Sequence, residues 1–351
     1  MAAVTASAAE PAFDFRSTDG LTVTGTLVPD AEARFSRLPD CLHDSIRTDL
    51  WNLGLNSAGI AVRFRSDSPR LAVRWHSRNK FNMNHMTATG IRGLDLYTLS
   101  ADSGWTFVNS ARPSMQNHNS ESRLVGGMEP GIEREYMLFL SLYDGVDSLY
   151  IGVDSAATLL PPAVALPRRD RPVVMYGTSI LQGGCATRPG MAHTNILQRR
   201  LNREVVNLGF SGNAKLDPEI AHLMADSDAS LYVIDALPNC TPEMVSEKMA
   251  DFIAIIRERH PDTPILLVES PWFPIMRFDS SVAATLADKN RRLRDIYEAL
   301  RARDPNLHYF IADNVFGDET ESTVDNYHMT DLGFRNFAES LMPVIQNLIN
   351  E

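Results

Sequence analysis

The sequence predicts an α/β protein in which an all-β sandwich domain precedes a domain built on a parallel sheet with helices. Three observations lead to this prediction. Apolar residues recur at every second position in the first part of the chain, prolines cluster between residues 161 and 172, and strand-like and helix-like segments alternate after that cluster. At 351 residues the chain is also longer than one average domain. We therefore expect a β-sandwich domain over residues 1–160, a proline-rich linker over 161–172 and an α/β domain over 173–351.

Alternation of apolar and polar residues is clearest in two neighbouring segments of the first domain. Apolar side chains take every second position in Ile60–Phe64 and again in Leu71–Trp75. This period is typical of antiparallel strands with one buried face and one solvated face. Further strand candidates are Leu21–Thr24, Trp105–Asn109, Tyr136–Leu140 and Ser148–Val153. Several short strands without a long helical pattern indicate a β-sandwich.

The prolines and the segments after them predict the second domain. Pro161, Pro162, Pro167 and Pro172 indicate a stiffened linker, and the basic run Arg168–Arg171 within it is expected to be solvated. After the linker, strands are predicted at Val173–Tyr176, Val205–Leu208, Ser230–Asp235, Pro264–Ser270 and His308–Ala312. Helices are predicted at Ala192–Leu201, Pro218–Met224, Pro242–Arg259, Val282–Ala302 and Asp331–Leu348. This alternation favours a parallel sheet covered by helices on both faces.

Charge and cysteine content exclude several classes of protein. A net charge of -11 leaves no basic surplus for a nucleic-acid partner, and no apolar run reaches the length of a membrane span. Cys41, Cys185 and Cys240 are too scattered for a disulfide framework, and no zinc-type spacing occurs, so we expect neither metal nor other cofactor. The first twelve residues lack the charge and apolar core of a signal peptide. They predict a cytoplasmic protein, or a secreted or periplasmic one if a leader was removed, and the sequence leaves a homo-oligomer open.

Four polar positions follow strands of the predicted parallel sheet. Ser179 comes after the strand ending at Tyr176, and Gly212 and Asn239 follow the next two strands. His328 lies in the loop after the last strand. Because ligands bind beyond the carboxyl ends of strands in open parallel sheets, we expect these residues to meet at one edge.

Ser179 and His328 have the chemistry of a nucleophile and its base. A serine hydroxyl needs a base within hydrogen-bond reach, and Asp325, three residues before His328, can fix the imidazole tautomer and stabilise its charged form. Each residue also has a plainer interpretation. Gly177–Ser179 can simply turn the chain and cap a helix, and a single histidine is more often a surface or core residue than a base.

Gly212 and Asn239 can stabilise an oxyanion. Glycine lets backbone N–H groups approach a substrate closely, and an asparagine amide donates hydrogen bonds without a proton to lose. Both residues also fit ordinary loops, because Ser211–Asn213 is a good turn and Asn239 follows a proline. Serine, glycine, asparagine and histidine in this order are the components of an acyl-transfer site.

The second domain resembles the SGNH (GDSL-type) hydrolase family, which is named for these four residues. Gly177–Ser179 matches the serine block with Thr178 in place of the usual Asp, and Asn207–Asn213 matches the glycine block. Asp235–Asn239 stands where Gly-x-Asn-Asp is commoner, and Asp325–Thr330 fits the histidine block. The resemblance implies a flavodoxin-like α/β/α sandwich and metal-free ester hydrolysis. It also implies an oxyanion hole made by the Ser179 N–H, the Gly212 N–H and the Asn239 amide.

A narrower resemblance covers the first domain. Gly93–Tyr97 is similar to the G-x-D-L-Y motif of a jelly-roll-like domain that precedes some bacterial SGNH esterases. Gln182–Cys185 and Arg188–Gly190 resemble the hydrolase half of the same subgroup. Together the two matches span most of residues 13–349 and identify a family without identifying a substrate.

Four further side chains are candidates for substrate binding: Arg188, Trp272, His85 and Asn82. Each has an alternative role, since Arg188 can pair with a carboxylate, Trp272 can pack between domains, and His85 and Asn82 can be plain loop residues. Cys185 and Cys240 are interpreted as small buried side chains.

Three functions are compatible with the sequence. The first is a serine esterase that acts on small acyl esters, with an O-acetyl group on a carbohydrate as the preferred substrate. The second is a lipase-type or thioesterase-type hydrolase on the same scaffold. The third is a carbohydrate-binding protein whose hydrolase domain has lost activity, with Thr178 and the altered asparagine block as signs of decay.

Overall fold

The structure of the protein is a computed structural model that describes residues 12–28, 34–102, 104–165, 167–317 and 320–350. In the first half, apolar alternation produces short strands. Its elements are β1 (Asp14–Ser17), β2 (Thr22–Thr24), α1 (Thr48–Gly54), β3 (Ala61–Ser66), β4 (Arg70–Ser77), α2 (Ala88–Arg92), β5 (Leu94–Ser100), β6 (Gly104–Ala111), β7 (Asn119–Gly126), β8 (Arg134–Phe139) and β9 (Val146–Val153). The strands predicted around residues 60–64 and 71–75 are thus β3 and β4.

These strands form two antiparallel sheets among the described residues, in the orders β1-β9-β4-β7 and β2-β3-β8-β5-β6. The side chains that alternate inward fill the space between the sheets, with Val62 and Phe64 from β3 facing Val73 and Trp75 from β4. The prediction of an all-β sandwich for the first part of the chain is confirmed.

The second half alternates strands and helices. Its elements are β10 (Arg168–Gly177), α3 (Ser179–Gln182), α4 (His193–Leu201), β11 (Arg203–Gly209), α5 (Pro218–Ala225), β12 (Leu231–Asp235), α6 (Pro242–Arg259), β13 (Ile265–Val268), α7 (Ser280–Arg301), β14 (Leu307–Phe310) and α8 (Asp331–Asn350). The strands pair in parallel in the order β11-β10-β12-β13-β14. The predicted α/β domain with a parallel sheet is therefore confirmed.

Both faces of this parallel sheet are buried. Val173 and Met175 of β10 pack on one face with α3, α4 and α8, whereas Val174 and Tyr176 pack on the other face with α5 and α6. Strands that are buried on both faces need apolar residues at nearly every position, so apolar and polar residues do not alternate in them. Among the described helices, none combines the length and apolarity that a bilayer crossing requires.

The strand order places the site. β10 is the first strand of this sheet in the chain, but it lies between β11 and β12. The chain therefore continues from β10 to one side of the sheet and later returns to the other side. A crevice opens at such a switch point, beyond the carboxyl ends of the strands. The loops that carry Ser179, Gly212 and Asn239 follow β10, β11 and β12, so all three meet at that crevice.

The two halves share an extensive interface. The outer face of the second sandwich sheet carries Tyr97, Met137 and Phe139, which are buried against α4. Arg199 of α4 lies 4.2 Å from the centre of the Tyr97 ring. The outer face of this sheet is therefore partly buried, whereas the sequence predicts a solvated outer face.

One boundary differs from the sequence expectation. β10 begins at Arg168, inside the segment predicted as a linker, and Arg168 pairs with Arg203. The register shifts between Arg168 and Val173, where Pro172 has no N–H to donate to the ladder. The basic run remains solvated as predicted, and the division of the chain at residues 160 and 172 stays a prediction.

Candidate active site

Ser179 sits in a tight turn between β10 and α3. The turn begins at Gly177, where a Cβ would stand only 2.7 Å from the Asp235 carbonyl oxygen. Thr178 then caps α3, because its hydroxyl accepts a hydrogen bond from the Ile180 N–H at 3.3 Å. Ser179 becomes the first residue of α3 and is 8% exposed. The cap predicted as the plainer interpretation is therefore present, and it also presents the Ser179 hydroxyl to the crevice.

His328 lies between Ser179 and Asp325. Its Nε2 is 2.9 Å from the Ser179 Oγ, and its Nδ1 is 2.7 Å from the Asp325 Oδ2. A carboxylate can only accept, so Nδ1–H donates to Asp325 and Nε2 is left to accept from the serine hydroxyl. The three side chains thus form one hydrogen-bonded chain in the order that base-activated attack requires.

The loop sequence explains how Asp325 is held. Asn326 has φ +71, a left-handed conformation that asparagine tolerates, and it folds the loop back on Asp325. The Asp325 Oδ1 accepts from the N–H groups of Tyr327 at 3.1 Å and His328 at 2.7 Å. Burial raises the pKa of Asp325, but the hydrogen bonds from His328 outweigh it, so the pKa lies below its usual value. Asp325 therefore stays charged beside the imidazole.

The three groups expected to form an oxyanion hole follow three neighbouring strands of the parallel sheet. The Ser179 N–H lies in the first turn of α3, where no intrahelical acceptor exists. Gly212 has φ +67 and open space where a Cβ would stand. Asn239 lines the same cavity as Ser179, and its Oδ1 accepts from the Ala214 N–H at 3.2 Å. With its oxygen held in this way, the Asn239 NH2 group is available to the cavity.

Gln182, which the sequence does not predict as a site residue, connects the nucleophile helix α3 to the turn that carries Gly212. It is fully buried in α3; its Nε2 donates to the Leu142 carbonyl at 3.0 Å, and its Oε1 accepts from the Ser211 N–H at 3.0 Å. It therefore fixes the turn that carries Gly212 relative to the nucleophile. A polar residue one turn after Ser179 was the available signal, but the sequence does not show its partners.

The sandwich contributes directly to the site through Tyr143. Its hydroxyl donates to the Ser179 carbonyl oxygen at 3.2 Å, and a Cβ on Gly184 would stand 2.6 Å from the same hydroxyl. Burial raises the pKa of Tyr143 far above its usual value, so the group remains a neutral donor. The first half of the chain thus helps to fix the backbone of the nucleophile.

One cavity is lined by Ser179 and His328 of the triad, and a second lies beside Tyr143 and Ser211. The first has a volume of about 300 Å³ and is lined by Ser179, Ile180, Pro238, Asn239, Phe273, Ser281, Val282, Thr285, Leu286, Lys289, Tyr327 and His328. The second has a volume of about 370 Å³ and is lined by Asp49, Asn52, Leu53, Asn56, Asn79, Phe81, Met83, Tyr143, Ser211 and Asn213. Both cavities have mainly apolar walls. The first also has Asn239 and Lys289 beside the triad, and the second has four asparagines in its lining.

Arg188 lies outside both cavities. Its guanidinium pairs with the Asp95 carboxylate at 2.7 Å, donates to the Tyr97 hydroxyl at 2.8 Å and stacks 3.9 Å from the centre of the Phe107 ring. Asp95 is fully buried and also accepts from the Gly190 N–H at 2.7 Å. The alternative role, pairing with a carboxylate, is what the structure shows. The G-x-D-L-Y motif thereby joins the two halves.

The other three substrate-binding candidates occupy different places. Trp272 lines a separate cavity of about 280 Å³, where the Arg277 guanidinium lies 4.9 Å from the centre of its ring. Asn82 is exposed and lines neither cavity beside the triad. His85 is exposed too, but its ring lies 5.8 Å from that of His328. Of the four candidates, His85 lies against the triad.

One group of side chains near the triad could hold a metal ion. Ligand atoms of His85, Cys185 and His328 all lie within 4.8 Å of one another. Imidazole and thiolate suit zinc, and the Asp325 contact to His328 is the outer-shell partner that zinc-bound histidines have. The sequence predicted no metal because these residues are not at a recognisable spacing. A metal ion there would occupy the His328 nitrogen that faces Ser179.

Known protein families match both halves of the chain. Residues 170–346 match the model described as the GDSL-like Lipase/Acylhydrolase family. Residues 13–159 match the model described as the N-terminus of Esterase_SGNH_hydro-type. No curated protein matches the sequence.

Solved structures resemble the whole chain. A GDSL-like lipase from Bacteroides ovatus ATCC 8483 is 31% identical, with a TM-score of 0.90 over 96% of this chain and 98% of that chain. The salicylyl-acyltransferase SsfX3 from a tetracycline biosynthetic pathway is 22% identical, with a TM-score of 0.77 over 96% and 97% of the two chains. A family two carbohydrate esterase from Cellvibrio japonicus is 14% identical, with a TM-score of 0.60 over 96% and 97%. The latter two show a shared fold.

Proposed function

The chain belongs to the GDSL-like lipase/acylhydrolase family, and from this premise we propose that it is a serine esterase whose nucleophile is Ser179. The observation that carries the proposal is the hydrogen-bonded chain from Ser179 through His328 to Asp325, which opens onto a cavity. A sugar-binding protein with a decayed hydrolase domain has no need to keep this chain assembled. We therefore favour an enzyme over a binding module.

In the first step the Ser179 Oγ attacks the ester carbonyl carbon. As the Oγ–C bond forms, the hydroxyl proton moves to the His328 Nε2, and the Asp325 carboxylate stabilises the resulting imidazolium. The carbonyl oxygen becomes an oxyanion, and the N–H groups of Ser179 and Gly212 with the Asn239 amide donate to it. These donors are held in place before the substrate arrives, so they need no reorganisation as charge develops.

In the second step the ester bond breaks. The alcohol leaves with the proton held on His328, and the acyl group remains on the Ser179 Oγ. A water molecule then gives its proton to His328 and attacks the acyl carbon through a second oxyanion. Release of the carboxylic acid returns the proton to the Ser179 Oγ, so the enzyme is regenerated.

For the substrate we propose a small acyl ester, with an O-acetyl group on a carbohydrate as the preferred case. The cavity on the Gly212 side supports this choice, because Asn52 and Asn79 offer amide groups suited to hydroxyls and Phe81 offers an exposed ring. The fold is also shared with a protein described as a carbohydrate esterase.

One observation favours a second candidate, a lipase-type or thioesterase-type hydrolase that takes a longer acyl chain. The cavity that Ser179 lines holds about 300 Å³ and is also lined by Ile180, Phe273, Val282 and Leu286. An acetyl group would fill only a small part of it. Rates on acetyl, butyryl and octanoyl esters of one aryl alcohol separate the two candidates, since a falling series supports the acetylesterase and a rising series supports the longer chain.

The decisive experiment measures hydrolysis of aryl esters and acetylated sugars by the wild type and by Ser179→Ala. We expect Ser179→Ala to lose at least ~10⁴-fold in kcat, within the range for triad nucleophiles, while its melting temperature stays close to that of the wild type. Ser246→Ala, on the exposed side of α6, is the matched control. Retained hydrolysis in Ser179→Ala would show that another residue performs the reaction.

A further inference from the structure

The cavity that holds Ser179 also contains a cation, Lys289. One side of α7 forms the wall of this cavity, with Val282, Leu286 and Lys289 on successive turns. Lys289 is only 7% exposed, although it lies in a helix whose neighbouring charged residues are solvated. It faces the same space as Ser179 and His328.

The ammonium group of Lys289 has few partners. Its one hydrogen bond within the described residues goes to the Pro238 carbonyl oxygen at 3.4 Å, whereas an ammonium has three N–H donors. No Asp or Glu is among the residues that line the cavity. The titratable group that acts on Lys289 is the thiol of Cys240. The charge of Lys289 is therefore not balanced by a carboxylate in the part of the chain that the structure describes.

Such a cation is unfavourable unless something binds to it. An ammonium loses its hydration on burial, and partners must replace that hydration. Burial accordingly lowers the pKa of Lys289 below its usual value. A structural contact to Pro238 uses one donor and leaves two without a hydrogen bond to the described residues, in a cavity that no carboxylate lines. Buried ionisable groups in a cleft beside reactive side chains are typical of ligand-binding positions.

We propose that Lys289 binds a carboxylate of the substrate and makes the enzyme selective for acidic esters. This inference rests on the proposed function, because it requires the ester bond to lie against Ser179. The carboxylate can belong to the acyl part, as in a monoester of a dicarboxylic acid, or to the alcohol part, as in an O-acetylated uronic acid. In either case Lys289 determines specificity and takes no part in the chemistry at the carbonyl.

Two matched pairs of substrates distinguish the two sources of the carboxylate. The acyl arm compares an aryl monoester of adipic acid with the same aryl ester capped as its methyl ester. The alcohol arm compares the acetate of a methyl glucuronoside with the acetate of a methyl glucoside. In each arm the measured quantity is the ratio of kcat/KM for the acidic ester to kcat/KM for the neutral ester.

The variants are Lys289→Met and a control on another lysine. Lys248 donates to a backbone carbonyl as Lys289 does, at 3.3 Å from the Lys215 oxygen, but it does not line the cavity. We expect the wild type to prefer the acidic ester in one arm. Lys289→Met should lower that ratio by about 10- to 100-fold, the effect of one charge-assisted hydrogen bond, and Lys248→Met should leave it unchanged.

The inference fails if the wild type does not prefer the acidic ester over the neutral ester in either arm. It also fails if Lys289→Met lowers kcat/KM for the acidic ester and for the neutral ester by the same factor. If Lys289→Met does not fold, Lys289→Gln replaces it, because the amide can keep the contact to Pro238 without the charge. Activity retained by Ser179→Ala would instead overturn the proposed function. The two failures are therefore distinguishable.

Discussion

Gln182 offers a test of how the turn that carries Gly212 is held. Its two hydrogen bonds join the Leu142 carbonyl, at 3.0 Å, to the Ser211 N–H, at 3.0 Å, on the residue before Gly212. The substitution Gln182→Met keeps the length of the side chain and removes both bonds. It therefore changes the support of the oxyanion donors without touching Ser179.

The magnitude follows from the groups left unpaired. The Leu142 carbonyl is buried and the Ser211 N–H is partly buried. Loss of a partner costs about 1–3 kcal/mol for a fully buried group and less for a partly buried one, so the free energy of unfolding should fall by ~2–4 kcal/mol. Removal of one oxyanion donor lowers the rate by about 10²–10³-fold, and a displaced donor should lower kcat by about 10- to 100-fold. KM should change less, because the donor acts mainly in the transition state.

A second buried glutamine provides the control. Gln198 is also fully buried; it accepts from the Val205 N–H at 3.0 Å and donates to the Met137 sulfur at 3.5 Å. Gln198→Met should lower the free energy of unfolding by a comparable amount. Urea denaturation and kcat for an aryl acetate, measured well below the denaturation midpoint, give both quantities. An unchanged kcat in Gln182→Met, or an equal loss in Gln198→Met, would refute the reasoning.

Three further outcomes follow from the contacts of the site. Arg188→Met removes the positive charge that pairs with the buried Asp95 carboxylate, so urea denaturation should show a loss of about 3–5 kcal/mol, and adding Asp95→Asn should recover part of it. The hydrogen bonds to Asp325 keep its pKa below the usual 3.8, so its carboxylate stabilises the folded state above about pH 4 and this contribution is lost as the pH falls through the lowered value. The difference in unfolding free energy between the wild type and Asp325→Asn should therefore shrink as the pH falls below about pH 4, and an unchanged difference at acid pH would contradict it. Zn²⁺ should inhibit ester hydrolysis reversibly by binding the His328 nitrogen. Cys185→Ala should raise the inhibitory Zn²⁺ concentration by more than ~10-fold. Equal inhibition of both proteins would show that Cys185 does not bind the ion.

Most of the candidate site could be predicted from the positions where the parallel strands end. Apolar runs that end at Tyr176, Leu208 and Asp235 define parallel strands, and such strands end at one edge of a sheet. Polar residues directly after them must therefore meet, whatever the exact loop geometry. The fold class followed from the same periodicities and is confirmed. Short polar strands such as β7 were not predicted, because charged residues on an exposed face conceal their period.

The parts that sequence could not predict depend on contacts between distant residues. Arg188 follows the nucleophile by nine positions, which suggested substrate, but its partner Asp95 lies 93 residues away and fixes it at the interface. Lys289 is part of a charged helical run that predicts a solvated face, and only the packing of α7 shows that it is buried. Gln182 and Tyr143 likewise act through groups on other elements.

The most direct test of the central claim locates the covalent intermediate. The protein is treated with an organophosphate ester that reacts with activated serine hydroxyls, and the modified peptide is identified by mass spectrometry. We predict one adduct, on Ser179, whose formation parallels the loss of esterase activity and falls by about 10²–10⁴-fold in His328→Ala, the usual contribution of a general base. An adduct on a different residue, or full hydrolysis by protein modified at Ser179, would contradict the account.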